Sequence, residues 1–182
     1  ADVLAAYPQV DLIYHCRTLD QGGDLDDERA KYPPVIAGRM ISSGFHDKYG
    51  GVERKILNAL YNAADLYVTT SAEGFGLTIA EALACGVPVV GMDYSSVPEV
   101  IGPAGVTVPV AHLIDNIYSY FWATPDERAF AKAIESVILG NAKRRELGRL
   151  GPAHIAEHFS WPASARQFAD LIAEAVPQEV AA

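Results

Sequence analysis

Basic residues are scarce in this sequence, and between Asp65 and Pro109 there are none. Lysine and arginine total 14 against 23 aspartates and glutamates, a formal charge of −9. No segment gathers enough cations to neutralise a row of phosphates, which argues against nucleic acid or an anionic membrane as a main partner. The densest basic cluster, Lys143-Arg144-Arg145 with Arg149, lies in a polar helical segment and reads as a solvated face. Long hydrophobic runs are missing too. None approaches the roughly eighteen residues that span a bilayer, and Ala1-Asp2-Val3-Leu4-Ala5-Ala6-Tyr7-Pro8 lacks the basic flank of a signal peptide. With only two cysteines, Cys16 and Cys85, each beside or within an apolar run, the expectation is small buried hydrophobes and no disulfide, in a reducing, cytoplasmic setting. No internal repeat or low-complexity tract is present.

What the sequence does have is apolar material. Half of its 182 residues are hydrophobic, enough to bury most of the apolar surface around one core, so a single domain over residues 1–182 is expected. Five short runs rich in β-branched residues read as buried strands: Val10 to Cys16, Pro34 to Ile41, Leu66 to Thr70, Val87 to Met92, and Val106 to Val110. Stretches of helical periodicity, such as Val52 to Ala63 and Leu77 to Cys85, separate most of them. The alternation predicts an α/β fold, a Rossmann-like, mostly parallel sheet with helices on both faces.

Helix punctuation is clear in the second half. Thr124-Pro125-Asp126-Glu127 combines an N-cap residue, a first-turn proline and a glutamate, and Gly140 closes that helix. Ser160-Trp161-Pro162 opens a C-terminal helix over residues 160–176. The connection His112 to Trp122 carries more aromatic residues than a solvated loop needs and is read as a satellite core, with a partner-binding patch as the alternative. Ser96-Val97-Pro98-Glu99 has the spacing of a capping box.

The chemistry concentrates at one junction. Leu66-Tyr67-Val68-Thr69-Thr70 runs into Ser71-Ala72-Glu73-Gly74-Phe75-Gly76, and a helix begins at once with Leu77-Thr78-Ile79-Ala80-Glu81 and stops at Gly86. Such a junction offers unpaired backbone N–H groups and the positive end of a helix dipole at the carboxyl edge of a sheet, the natural seat of a phosphate. Gly74 and Gly76 let a ligand approach the backbone, although a plain βα turn would use glycines as well. On a helix, Thr78, Glu81 and Cys85 fall within an arc of roughly 60° while apolar residues cover the rest. Glu81 therefore faces either solvent or a hydroxyl-rich ligand such as a ribose. His15-Cys16-Arg17 at a strand end, the loop Gly44 to Gly51 with His46, Asp47, Lys48 and Tyr49, and the acidic run Asp24 to Glu28 are weaker candidates; the last lacks calcium-loop spacing.

The motif Ser71-Ala72-Glu73-Gly74-Phe75-Gly76-Leu77-Thr78-Ile79-Ala80-Glu81-Ala82-Leu83-Ala84-Cys85-Gly86-Val87-Pro88-Val89-Val90, with seven residues between its two glutamates, resembles that of the retaining, two-domain (GT-B) glycosyltransferases of the group 1, or family 4, type. The preceding Leu60 to Val68, the following Val97-Pro98-Glu99-Val100-Ile101 and Gly105 to Pro109, and His158-Phe159-Ser160-Trp161 continue the similarity. The resemblance implies the C-terminal, donor-nucleotide-binding domain. It implies that Glu73 contacts hydroxyls of the donor sugar, Glu81 the ribose, the amides of Gly74, Phe75 and Gly76 the sugar, and Leu77 and Thr78 the diphosphate. It further implies a UDP-, GDP- or ADP-sugar as donor and no obligatory metal or other cofactor.

The family's phosphate-gripping arginine and lysine follow a first strand that has no counterpart here. The expectation is therefore a chain lacking that strand and the N-terminal acceptor-binding domain, inactive by itself, with a gap or exposed edge in its sheet. Arg17, Arg39 and Lys48 are the cations nearest the expected cleft. The alternative is a non-catalytic α/β module that binds a nucleotide or a partner.

Overall fold

The computed structural model describes residues 1–16, 19–20, 23–44, 51–115 and 121–176. They group into two compact units, Ala1–Leu60 and Tyr61–Ala182.

In the first unit, α1 (Asp2–Ala6) leads into β1 (Leu12–Tyr14), followed by the short antiparallel pair β2 (Leu19–Asp20) and β3 (Gly23–Asp24). α2 (Leu25–Ala30) starts where the Asp24 side chain accepts from the Asp26 N–H. α3 (Pro34–Ala37) precedes β4 (Met40–Ser42), which pairs in parallel with β1 in the register Leu12↔Met40 to Tyr14↔Ser42. The strand expected over Pro34 to Ile41 is thus mostly a helical turn. Pro34 sits where its missing N–H costs nothing, at the first helical position, and only Met40 onward is extended. Arg39 donates to the carbonyls of Tyr7, Val10, Val35 and Leu4. Its guanidinium is committed to backbone and serves the turn after α1.

α4 (Arg54–Ala63) carries the chain into the second unit. There β5 (Tyr67–Val68), β6 (Val89–Met92) and β7 (Gly105–Val108) form a parallel sheet in the order β5-β6-β7. All four residues of β6 are buried, as expected of a central parallel strand covered on both faces. Alternate side chains meet different helices. Val90 packs with Ala133 and Val137 of α7 (Glu127–Ile138), whereas a Cβ on Gly91 would strike Val97 and Ile101 of α6 (Val97–Ile101). α5 (Leu77–Ala84) buries Ile79, Ala80, Ala82 and Leu83 and packs on α8 (Asn141–His158). Gly86, at φ +76°, ends α5 in a Schellman arrangement, with the Val87 N–H on Ala82 O and the Gly86 N–H on Leu83 O. The chain is therefore α/β and Rossmann-like, with mostly parallel strands and helices on both faces of the second unit's sheet. Its parallel strands fall into two sheets, β1-β4 and β5-β6-β7.

After β7 the chain forms an antiparallel hairpin, β8 (Val110–Asp115) and β9 (Phe121–Pro125). The satellite-core reading of His112 to Trp122 is corrected for its described residues: Leu113, Ile114 and Trp122 are all more than half exposed, because a two-stranded hairpin buries side chains only where another layer covers them. Residues 116–120 lie outside the described residues. Thr124 and Pro125 belong to β9, so the N-cap of α7 is Asp126, whose carboxylate accepts from the Ala129 N–H. The last helix, α9 (Trp161–Ala175), is capped by Ser160. Cys16 and Cys85 are free of disulfide bonds, but Cys16 is exposed and Cys85 only partly covered, against the expectation that both are buried. An apolar sequence neighbourhood does not by itself bury a residue at the end of a strand or on the outer arc of a helix. No helix among the described residues is long and apolar enough to cross a membrane.

Candidate functional site

β5 ends at Val68, Thr69 is buried, and the Ser71 N–H donates to Thr69 Oγ1 as the chain turns out of the sheet. Loop 71–76 then reaches α5. Gly76 is its N-cap at φ +95°, ψ 58°, a left-handed conformation in which a Cβ would lie 2.9 Å from buried Ile79. The glycine therefore does more than shape an ordinary turn. It brings no capping side chain, so the first N–H groups of α5 have no side-chain acceptor on them. A Cβ on Gly74, by contrast, would meet nothing within 4 Å, which leaves open space beside that backbone.

The loop is fastened from two directions. Ser95 Oγ donates to Glu73 O at 2.7 Å, and Ser96 Oγ is shared between Glu73 O at 2.8 Å and Phe75 O at 2.9 Å. The expected capping box at Ser96 is therefore not formed. Ser96 heads α6, but its backbone is helical (φ −78°, ψ −10°) rather than extended, and its hydroxyl is spent on the loop. Ser95 takes φ +57° to join in, the one non-glycine residue with positive φ among those described. On the side-chain face, the Phe75 ring stands edge-on to Phe159 at 5.6 Å between centroids, and Phe159 packs on His154.

Along α5 the polar and apolar faces separate as the helical periodicity predicts. Thr78 and Glu81 are exposed while Ile79, Ala80, Ala82 and Leu83 are buried. Leu77 is exposed as well. Glu81 is nevertheless not a free surface carboxylate: Tyr61 donates its hydroxyl to Glu81 Oε2 at 2.9 Å. Tyr67, whose ring meets Tyr61 in a T-shaped contact, donates to Thr78 Oγ1 at 2.9 Å. Burial first, then the hydrogen bond to Glu81 and the charge of that carboxylate, push the Tyr61 phenol well above the ordinary tyrosine range. Burial also raises Tyr67, and Glu73 and Glu81 both add to it, so the two carboxylates lie within electrostatic reach of one phenol. Burial and the charge of Glu81 raise the Cys85 thiol too.

Glu73, Gly74, Phe75, Gly76, Leu77, Thr78 and Glu81 are thus brought to one strand–loop–helix junction. Arg39 is engaged elsewhere, and Arg17, His46, Asp47, Lys48 and Tyr49 lie outside the described residues. His15 faces Ser43 through Nδ1 at 2.9 Å. Among the described residues no group of His, Cys, Asp and Glu is arranged to hold a metal ion, and no ion pair involves Glu73 or Glu81. Sequence reasoning missed Tyr61, Tyr67, Ser95 and Ser96 as members of this constellation. The signal available for the tyrosines was the pair flanking Asp65, directly upstream of the loop.

Fold and junction together define a Rossmann-like α/β domain with a glycine-headed helix at the carboxyl edge of its sheet. Residues 46–154, more than half of the chain, match the family described as glycosyl transferases group 1. The chain belongs to that family and carries a GT-B-type glycosyltransferase domain. A D-inositol 3-phosphate glycosyltransferase from Segniliparus rotundus is 38% identical over 110 residues, which make up 60% of this chain and 22% of that enzyme. Among solved structures, sucrose-phosphate synthase from Thermosynechococcus elongatus superimposes with a TM-score of 0.68 at 24% identity, over 95% of this chain and 40% of its own. The Anabaena protein Alr3699/HepE, solved in complex with UDP, also gives 0.68, at 22% identity and over 43% of its chain. The chain thus spans less than half the length of each of these proteins.

Proposed function

We propose that this chain is the C-terminal, donor-binding half of a retaining glycosyltransferase, which transfers a sugar from a nucleoside-diphosphate donor to an acceptor held by a separate, N-terminal domain. The observation that carries the reading is the placing of Glu73 and Glu81 on either side of an uncapped, glycine-headed helix N-terminus, both within electrostatic reach of Tyr67. Family membership and the glycosyltransferase activity of the Segniliparus relative support it.

In this reading Glu81 accepts from the ribose, Glu73 from hydroxyls of the sugar, and the amides of Gly74, Phe75 and Gly76 line the sugar. Leu77 and Thr78 at the start of α5 meet the diphosphate, which the helix dipole favours. Catalysis rests on positioning and electrostatic stabilisation, with the leaving diphosphate itself taking the acceptor proton. The cation that such a leaving group needs comes from outside residues 65–109, which hold none. The chain alone binds donor weakly and turns over little. The exposed Trp161, Phe168 and Leu171 on α9 suit packing against a further domain, and two cysteines without a disulfide suit the cytoplasm.

Titration of the chain with UDP-, GDP- and ADP-sugars tests the reading. One of the three is expected to bind, and Glu81→Ala to weaken it about tenfold, the scale of a lost hydrogen bond to a charged group. Failure of all three, even with an acceptor-binding domain restored, would leave a non-catalytic module as the better description.

A further inference from the structure

Glu81 presents a puzzle of order. An exposed glutamate on a helix samples many rotamers, and fixing it costs side-chain entropy. Here one of its oxygens is already held. The Tyr61 hydroxyl reaches Glu81 Oε2 at 2.9 Å from a ring only 9% exposed, and that ring is locked edge-to-face against Tyr67 with centroids 6.2 Å apart. Packing alone asks only for a phenylalanine at position 61. Among the described residues the hydroxyl's hydrogen bond goes to the carboxylate.

We infer that Tyr61 is a positioning residue for nucleotide recognition: its phenol holds Glu81 Oε2 so that Oε1 is presented to the hydroxyls of a ribose. The inference rests on the reading of Glu81 as the ribose contact. A neutral donor suits this task better than a lysine or arginine. It orients the carboxylate without cancelling the charge that makes it a strong acceptor, and among the described residues Tyr61, Tyr67 and Cys85 are the titratable groups that feel Glu81. The phenol also stays protonated, since its ionisation is driven to high pH by burial and by the carboxylate it serves. Tyr67 repeats the device one turn earlier. It donates to Thr78 Oγ1 and leaves the threonine's own proton for an incoming acceptor such as a phosphate oxygen. Two tyrosines in edge-to-face contact, one from α4 and one from β5, thereby prepare the two exposed polar side chains of α5.

The test compares UDP, GDP and ADP with their 2′,3′-dideoxy counterparts on the intact chain and on Tyr61→Phe, which keeps the ring and removes only the hydroxyl. The variant is expected to weaken the ribonucleotide that binds wild type by about tenfold, to leave its dideoxy counterpart unchanged, and to add nothing further in a Glu81→Ala background. A Tyr61→Phe chain that keeps the full ribo-over-dideoxy preference overturns the inference while the donor-binding reading stands. A wild-type chain with no such preference brings down the ribose assignment of Glu81 and this inference with it. If Tyr61→Phe does not fold, wild type labelled with carbon-13 at the tyrosine Cζ carries the test. Its Tyr61 resonance is expected to move with the ribonucleotide and to stay in place with the dideoxy form, and indifference to both overturns the inference.

Discussion

Adding one methyl group at Gly105 is expected to be among the most damaging single changes in the second unit, with Gly105→Ala lowering its stability by about 3 kcal/mol. The new Cβ would lie 2.2 Å from Val89 O and 2.7 Å from Ile101 Cγ2. A carbonyl oxygen cannot swing aside as the end of a side chain can. Val89 is the residue directly opposite Gly105 in the β6–β7 ladder, so relieving the clash shifts the ladder or pushes Ile101 out of a fully buried site. Denaturant unfolding followed by circular dichroism checks the effect through the midpoint at constant slope. Gly74→Ala is the control. Its Cβ meets nothing, and it should remain within about 0.5 kcal/mol of wild type, as surface changes do. Equal losses at both positions would mean that glycine as such, rather than the backbone contact at 105, sets the cost.

Glu73→Ala is expected to give the largest loss of activity, on the order of 10²-fold in kcat/KM, in a polypeptide that joins this domain to an acceptor-binding one. The magnitude follows from the role proposed for Glu73. A carboxylate that orients the sugar acts on the reacting carbon's position, and small displacements there are steeply penalised. Stability should hardly change, because the Glu73 side chain has no hydrogen bond or ion pair among the described residues; its backbone carbonyl, not its carboxylate, ties the loop to Ser95 and Ser96. The loss should appear in kcat, with the inhibition constant of the free nucleoside diphosphate unchanged. Unaltered turnover, or an equal loss of affinity for the nucleotide alone, would remove Glu73 from the sugar.

Much of this was legible in the residue order. Alternating apolar runs and periodic helices give the α/β class because burial on two faces demands continuous β-branched stretches, and Val89–Met92 is the purest instance. The strand, glycine loop and helix around Glu73 could be read because turn glycines and helix stops act locally. Local reasoning failed where tertiary contacts decide. Pro34 to Ile41 is apolar enough for a strand, yet Pro33 and Pro34 start a helical turn, and short apolar runs do not distinguish the two. Ser96 has the spacing of a cap, but its hydroxyl finds carbonyls more than twenty positions upstream. The aromatic connection was read as core because hydrophobicity reports what a residue prefers, not what stands opposite it. Tyr61 belongs to the same class of miss: its place upstream of the loop is visible in the sequence, but the contact of its hydroxyl with Glu81, 20 positions on, is set by packing.

The two-sided fastening of the loop at Glu73 to Gly76 also bears on the order of events during folding. Its serine ties come from the head of α6 and its aromatic support from the end of α8, both distant in the chain. Such non-local contacts form only after the segments between them have docked. The loop is therefore among the last parts of this unit to become native, and among the first to open when the unit is mildly destabilised. Under rising denaturant, ligand binding should fade while the β5-β6-β7 sheet is still intact, so loss of function and loss of fold are separate transitions.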